Sequence, residues 1–145
     1  MNCSERDVRA AVYAPFRVKS QAPTPEILAE VTGSTRDAVI SALRTLANEH
    51  CLVLLPDGES IRMAHPFSGV ETDFLVTSGD HRWFANCVWD GLAILALFGY
   101  GSLDTHSPAT GEALGFDVVS GAVHGEGLVH FLVPARRFWD DIGYT

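Results

Sequence analysis

The sequence predicts an α+β fold, and three patterns carry the prediction. Apolar residues recur at helical spacing through residues 6–48. A hairpin with its turn signal follows directly. Beyond it, short strand-like runs surround one apolar helix. The chain has 145 residues, 47% hydrophobic and 19% charged, which is enough for a sizeable core in one or two small domains and too apolar for a disordered chain.

Residues 6–18 read as a short helix with Val8, Ala11 and Val12 on its apolar face, broken at Pro15. Thr24-Pro25-Glu26 starts a second helix, with Thr24 as N-cap, Pro25 at the first helical position and Glu26 at the positive end. Gly33 ends it. Ser34 opens a third helix, 34–48, with Asp37 three residues on as a capping-box variant and Val39, Leu43 and Leu46 at helical spacing. The run 52–55, the turn Pro56-Asp57-Gly58 and the run 61–64 make a hairpin. Helix, helix, helix, hairpin is the order of a winged helix-turn-helix, so residues 1–65 are expected to form a winged-helix-like domain. Residues 65–69 read as a linker to a small mixed α/β core, 66–145. In that core 74–77 and 81–85 form a tight hairpin around Ser78-Gly79-Asp80, and 86–98 form a helix closed by Gly99. Runs 102–106, 113–119 and 128–133 read as strands, joined by Pro108-Ala109-Thr110-Gly111 and a hairpin-like glycine-rich stretch, 121–127. Pro134 starts a last helix-like segment, 136–142.

Charge and composition exclude several function classes. The formal net charge is −8, and the ten Lys and Arg residues are scattered, so nucleic acid is not an expected partner. The third helix fills the recognition-helix slot, yet its charged residues Arg36, Asp37, Arg44 and Glu49 suit a phosphate backbone poorly. No apolar run approaches the roughly 20 residues needed to span a bilayer, and the N-terminus lacks the pattern of a secretory signal. A soluble cytoplasmic protein is expected, with no membrane contact. Cys3, Cys51 and Cys87 are three cysteines without short spacing, which fits reduced thiols rather than a disulfide framework or zinc knuckle. No glycine-rich nucleotide loop stands between a strand and a helix, so no cofactor is expected.

One place sets a soft nucleophile beside a proton carrier. Cys87 and Asp90 lie three residues apart where a strand-like run gives way to the apolar helix, and that spacing puts them on one helix face. A thiol in a first helical turn feels the positive end of the dipole, which lowers its pKa, while an apolar setting raises that of the aspartate. Two acids that close titrate as a pair. Each residue also has a plain structural reading. Cys87 is then a small buried side chain and Asp90 a first-turn charge worth roughly 0.3–1 kcal/mol. Asn86 reads as the helix N-cap; Trp83, Phe84 and Trp89 read as core, or as walls of an apolar pocket. His65 reads as structural, Cys51 as buried and Cys3 as incidental. Arg136 and Arg137 read as partners of Asp140 and Asp141. His106, His124 and His130 lie on different predicted strands, and their spacing does not require a shared metal.

Several landmarks occur together: Pro66-Phe67-Ser68, Ala85-Asn86-Cys87-Val88-Trp89-Asp90, Pro108-Ala109-Thr110-Gly111-Glu112 and Phe138-Trp139-Asp140-Asp141-Ile142. In this order they resemble the alkylmercury lyase, or organomercurial lyase, family. The resemblance implies a winged-helix-like domain packed on a mixed α/β core of the alkylmercury lyase type, and protonolysis of a carbon–mercury bond. It places the family's catalytic cysteine and aspartate at Cys87 and Asp90. Cys87 would bind mercury as substrate and product, and small thiols would accept the product. Thiolate sulfur prefers soft metals, and a nearby acid can protonate the carbon, so the chemistry suits the residues. The family's second cysteine usually follows the tryptophan-aspartate stretch, where this chain reaches Thr145 without one, and Ser107 stands where some members carry another. Cys51 is the remaining candidate, from the other domain. The expectation is therefore a core truncated at its C-terminus, or a relative with one thiol and impaired lyase activity. Two alternatives stay open: a cysteine-dependent enzyme acting on another electrophile in detoxification or secondary metabolism, and a winged-helix regulator that senses a metal or ligand.

Overall fold

The computed structural model describes residues 4–143, so Cys3 and the segment end at Thr145 lie outside the described residues. Three helices come first: α1 (Glu5–Lys19), α2 (Pro25–Thr32) and α3 (Arg36–Asn48). The strands β1 (Val53–Leu54), β2 (Ile61–Ala64) and β3 (Phe67–Ser68) form an antiparallel sheet in the order β1-β2-β3. Then follow β4 (Leu75–Ser78), β5 (His81–Phe84), α4 (Val88–Phe98), β6 (Gly101–His106), β7 (Ala113–Val119), β8 (Ala122–His124) and a 3-10 helix, Ala135–Asp140. The second sheet runs β5-β4-β6-β7-β8, antiparallel throughout, and α4 packs across β4, β6 and β7. No described helix is long and apolar enough to cross a membrane.

The helix, helix, helix, hairpin order is found as expected, with informative shifts. Proline does not break α1. Pro15 lies inside the helix, while Val8, Val12 and Phe16 are buried on its inner face. A proline in a helix interior costs about 3 kcal/mol, and each large apolar side chain that leaves water contributes about 1.5–3 kcal/mol, so the buried face prevails. The cap of α3 lies one residue later than predicted, at Thr35, which accepts from the Ala38 N–H. Ser34 still belongs to the close of α2: its N–H donates to the Ala29 carbonyl at 2.9 Å, beyond the left-handed Gly33. In the hairpin turn Asp57 Oδ1 accepts from the N–H groups of Glu59 and Ser60, both at 2.9 Å.

Two stretches differ in kind from the prediction. The expected linker, 65–69, holds β3, because Phe67 is buried, pairs with Ala64 and stacks on Phe16 at 5.1 Å. A bridge from Phe67 to Ala85 ties this first sheet to the residues after β5. The expected strand 128–133 is absent. The turn at Ser120 and Gly121, both at positive φ, folds Ala122–His124 back onto β7, so this segment occupies the free edge instead. Leu128, Val129, Phe131 and Leu132 are left exposed.

One buried cluster runs through both sheets, from Val8 and Phe16 through Phe67 and Trp83 to Ile94 and Leu103. At its centre the Trp83 indole N–H donates to the Phe16 carbonyl at 2.7 Å, and the ring stacks on Phe98 at 4.4 Å. On the surface Arg36 pairs with Glu26 at 2.6 Å and Glu59 at 2.5 Å, and Arg44 donates to the Gly58 carbonyl at 3.0 Å. The Arg36 hydrogen bond holds the Glu26 pKa down to about 2. Helix α4 approaches β6 through Gly91, where a Cβ would meet Leu103 side-chain carbons at 2.7 and 2.8 Å. Leu103 is fully buried and has nowhere to retreat. Gly91→Ala should therefore destabilise the fold by about 1–3 kcal/mol, read as a lower urea midpoint with an unchanged slope.

Candidate active site

Strand β5 runs through Ala85 and Asn86 into the head of α4. Cys87 occupies the N-cap position with extended backbone (φ −158°, ψ 179°). The predicted cap, Asn86, does something else. Its amide donates to Asp90 Oδ2 at 2.7 Å and reaches toward the Phe67 carbonyl at 3.5 Å, while its own Oδ1 has no partner. The Asp90 carboxyl is buried, with its side chain 9% exposed, and its other oxygen lies 2.7 Å from His65 Nδ1. His65, on the chain between β2 and β3, is thus the residue that sequence reading leaves out of the site. No local pattern marks it, since it comes to Asp90 only through the pairing of β3. Asn86 stands just before the extended N-cap, outside α4, so its contact with Asp90 comes from the turn into the helix rather than from a shared helix face.

The electrostatics follow from burial. The Cys87 thiol is half-buried, and desolvation raises its pKa. Backbone N–H groups of Asp90 and Trp89 oppose that rise, and the charge of Asp90 adds to it. The expected dipole-lowered thiol is therefore not what this site holds, because the loss of water outweighs the field of the helix end. Burial likewise raises the pKa of Asp90, against the hydrogen bonds and charge of Asn86 and His65. Both groups keep protons to higher pH than they would in water.

Trp83 is buried as core, whereas Trp89 is 60% exposed and meets Phe131 edge-on at 6.3 Å. Trp89 lines an apolar groove of about 620 Å³ with Phe131, Leu132, Val133, Pro134, Ala135 and Phe138. Arg137 pairs with Asp140 at 2.8 Å, as read from sequence. Cys51 packs beside the core of the first helices, its thiol 3.9 Å from the Glu49 carbonyl. Ser107 takes part in the turn before β7, accepting from Thr110 N–H at 3.3 Å. Among the described residues no group of three or more His, Cys, Asp or Glu side chains is placed to hold a metal ion, so His106, His124 and His130 do not converge on one.

The model of the alkylmercury lyase family, MerB, matches residues 67–145, more than half of the chain. The chain belongs to the alkylmercury lyase family. It also resembles the crystal structure of the mercury-bound form of MerB2, with a TM-score of 0.64 and 25% sequence identity over 83% of this chain. The match covers 57% of that chain, so this sequence spans a little over half of its length. No curated protein sequence matches the chain.

The buried carboxyl makes stability depend on pH. The pKa of Asp90 in the folded state lies above its ordinary value of 3.8, so the folded chain binds the proton more tightly than the unfolded one. That stabilisation is complete below the ordinary value and is lost as pH rises through the folded one. Asp90→Asn removes the ionisation, and Asn86 can turn its free Oδ1 toward the new amide. The variant should therefore gain stability relative to the parent as pH rises from about 4 to 8, with the difference closing at the acid end. Urea midpoints at the two pH values check it; a gap of constant size would contradict the assignment.

Proposed function

We propose that the chain catalyses protonolysis of a carbon–mercury bond, with Cys87 as the metal-binding nucleophile and Asp90 as the proton carrier. The observation that carries this reading is the proton-retaining pair at the head of α4, a thiol beside a buried carboxyl held at both of its oxygens. Membership of the alkylmercury lyase family supports it.

The raised thiol needs a base, and Asp90 is the carboxylate beside it. As the Cys87 sulfur bonds to the mercury of an organomercurial, the thiol proton passes to Asp90 and the ligand previously on mercury leaves with its electron pair. Asp90, now a carboxylic acid in an apolar setting, gives the proton to the carbon as the carbon–mercury bond breaks. Hydrocarbon departs, the carboxylate is restored, and mercury(II) remains on Cys87. A small external thiol then takes the metal away, the role this reading assigns to product acceptors.

The reading gives nucleic acid no part. Arg36 is tied to Glu26 and Glu59 and Arg44 to the Gly58 carbonyl, which leaves α3 little free positive charge to offer a phosphate backbone.

With phenylmercury or methylmercury and excess small thiol, the protein should release benzene or methane, measured by gas chromatography. Cys87→Ser should abolish release, and Asp90→Asn should slow it by about 10²–10⁴-fold. Absence of hydrocarbon from the parent protein, with Cys87 intact, would remove the lyase reading.

A further inference from the structure

His65 is separated from Asp90 by both strands of a hairpin and the start of α4, yet it delivers one ring nitrogen to the buried carboxyl at 2.7 Å. Its side chain is 66% exposed, so the imidazole adds little to the core. Its backbone is fixed on both sides. The His65 carbonyl accepts from the Tyr13 hydroxyl at 3.3 Å, and the neighbouring Ala64 and Phe67 face each other across β2 and β3. The imidazole is thus presented to Asp90 by anchored backbone rather than by packing of its own ring.

The carboxyl is gripped at both oxygens, Oδ1 by His65 and Oδ2 by Asn86, which prevents it from turning about its terminal torsion. Both partners are amphoteric. A neutral imidazole can donate or accept at Nδ1 according to tautomer, and a side-chain amide can present N–H or, turned over, oxygen. The Asn86 oxygen is buried and has no partner, so it is available as the acceptor a protonated carboxyl would need. A cradle of lysine or arginine would hold only the ionised form. This one fits a carboxyl that gains and loses a proton in each cycle.

We propose that His65 is a positioning residue for the proton transfer, holding the Asp90 carboxyl in one orientation in both of its protonation states. The proposal rests on the lyase reading for the reaction it serves, and its structural half can be tested without it.

Three variants and one spectrum decide the matter. His65→Ala should lower kcat for phenylmercury by about tenfold to a hundredfold, the equivalent of one charge-assisted hydrogen bond, with KM within about twofold. His65→Asn places an amide nitrogen near the Nδ1 position and should recover most of the loss, whereas His65→Gln, which reaches past it, should not. Independently of turnover, the Nδ1 resonance of His65 in ¹⁵N-histidine-labelled protein should move when Asp90 is replaced by Asn. An unmoved resonance, a His65→Ala variant with parental kcat, or a His65→Asn variant no better than His65→Ala would each overturn the proposal. A parent protein silent toward organomercurials would sink the lyase reading instead, while the nitrogen resonance would still report whether His65 holds Asp90.

Discussion

A carboxyl withdrawn from water at the head of an apolar helix is the constraint on which the second half of the molecule turns. Burying an ionisable group without partners costs several kcal/mol, and proteins answer either with hydrogen bonds or with a proton. Here both answers are present. Two neighbours grip the carboxyl, and its pKa still rises. The helix that carries it is apolar on nearly all sides, with Gly91, Ile94 and Leu95 pressed against the sheet and Leu97 facing out. Its seat is fixed by the near-contact of Gly91 with Leu103, one residue from the carboxyl. Helix position and proton affinity are thus set by the same short stretch of sequence.

The cradle draws on distant parts of the chain. His65 comes from beside the first sheet, the Phe67 carbonyl from β3, and Asn86 from the exit of β5. Phe16, Phe67, Trp83 and Phe98 form a run of ring contacts from α1 to the end of α4 beneath them. Helix α1 therefore supports the site indirectly. It buttresses the strand whose pairing sets the height of His65, and it accepts the indole hydrogen bond of Trp83.

Much of this was legible from residue patterns. Capping signals and glycines gave α2 and the end of α4 to within a residue, because such signals act locally and satisfy specific backbone groups. Cys87 and Asp90 were legible as neighbours because they stand three residues apart at the head of one helix, although Cys87 takes the extended N-cap position rather than a helical one. What the patterns missed depends on tertiary contact. Pro15 is a breaker only until the burial of Phe16 is counted. Residues 65–69 look like a linker until Phe67 finds Phe16. The run 128–133 has strand composition, but a tight turn upstream gives the sheet edge to Ala122–His124. The proton affinity of Cys87 was read with the wrong sign, since dipole direction is visible in sequence and the depth of burial is not.

The three tryptophans occupy three unlike surroundings. Trp83 is enclosed, Trp139 is stacked on His50 at 4.2 Å, and Trp89 stands mostly in solvent two positions from the sulfur of Cys87. Enclosed indoles emit toward the blue and wetted ones toward the red, so the long-wavelength edge of the emission comes from Trp89 and from the partly exposed Trp139. A heavy atom captured by that sulfur, two residues from Trp89, should quench the Trp89 share of the red edge more than the emission of the enclosed Trp83. The helix head thereby carries its own optical gauge of occupancy, with no dye attached.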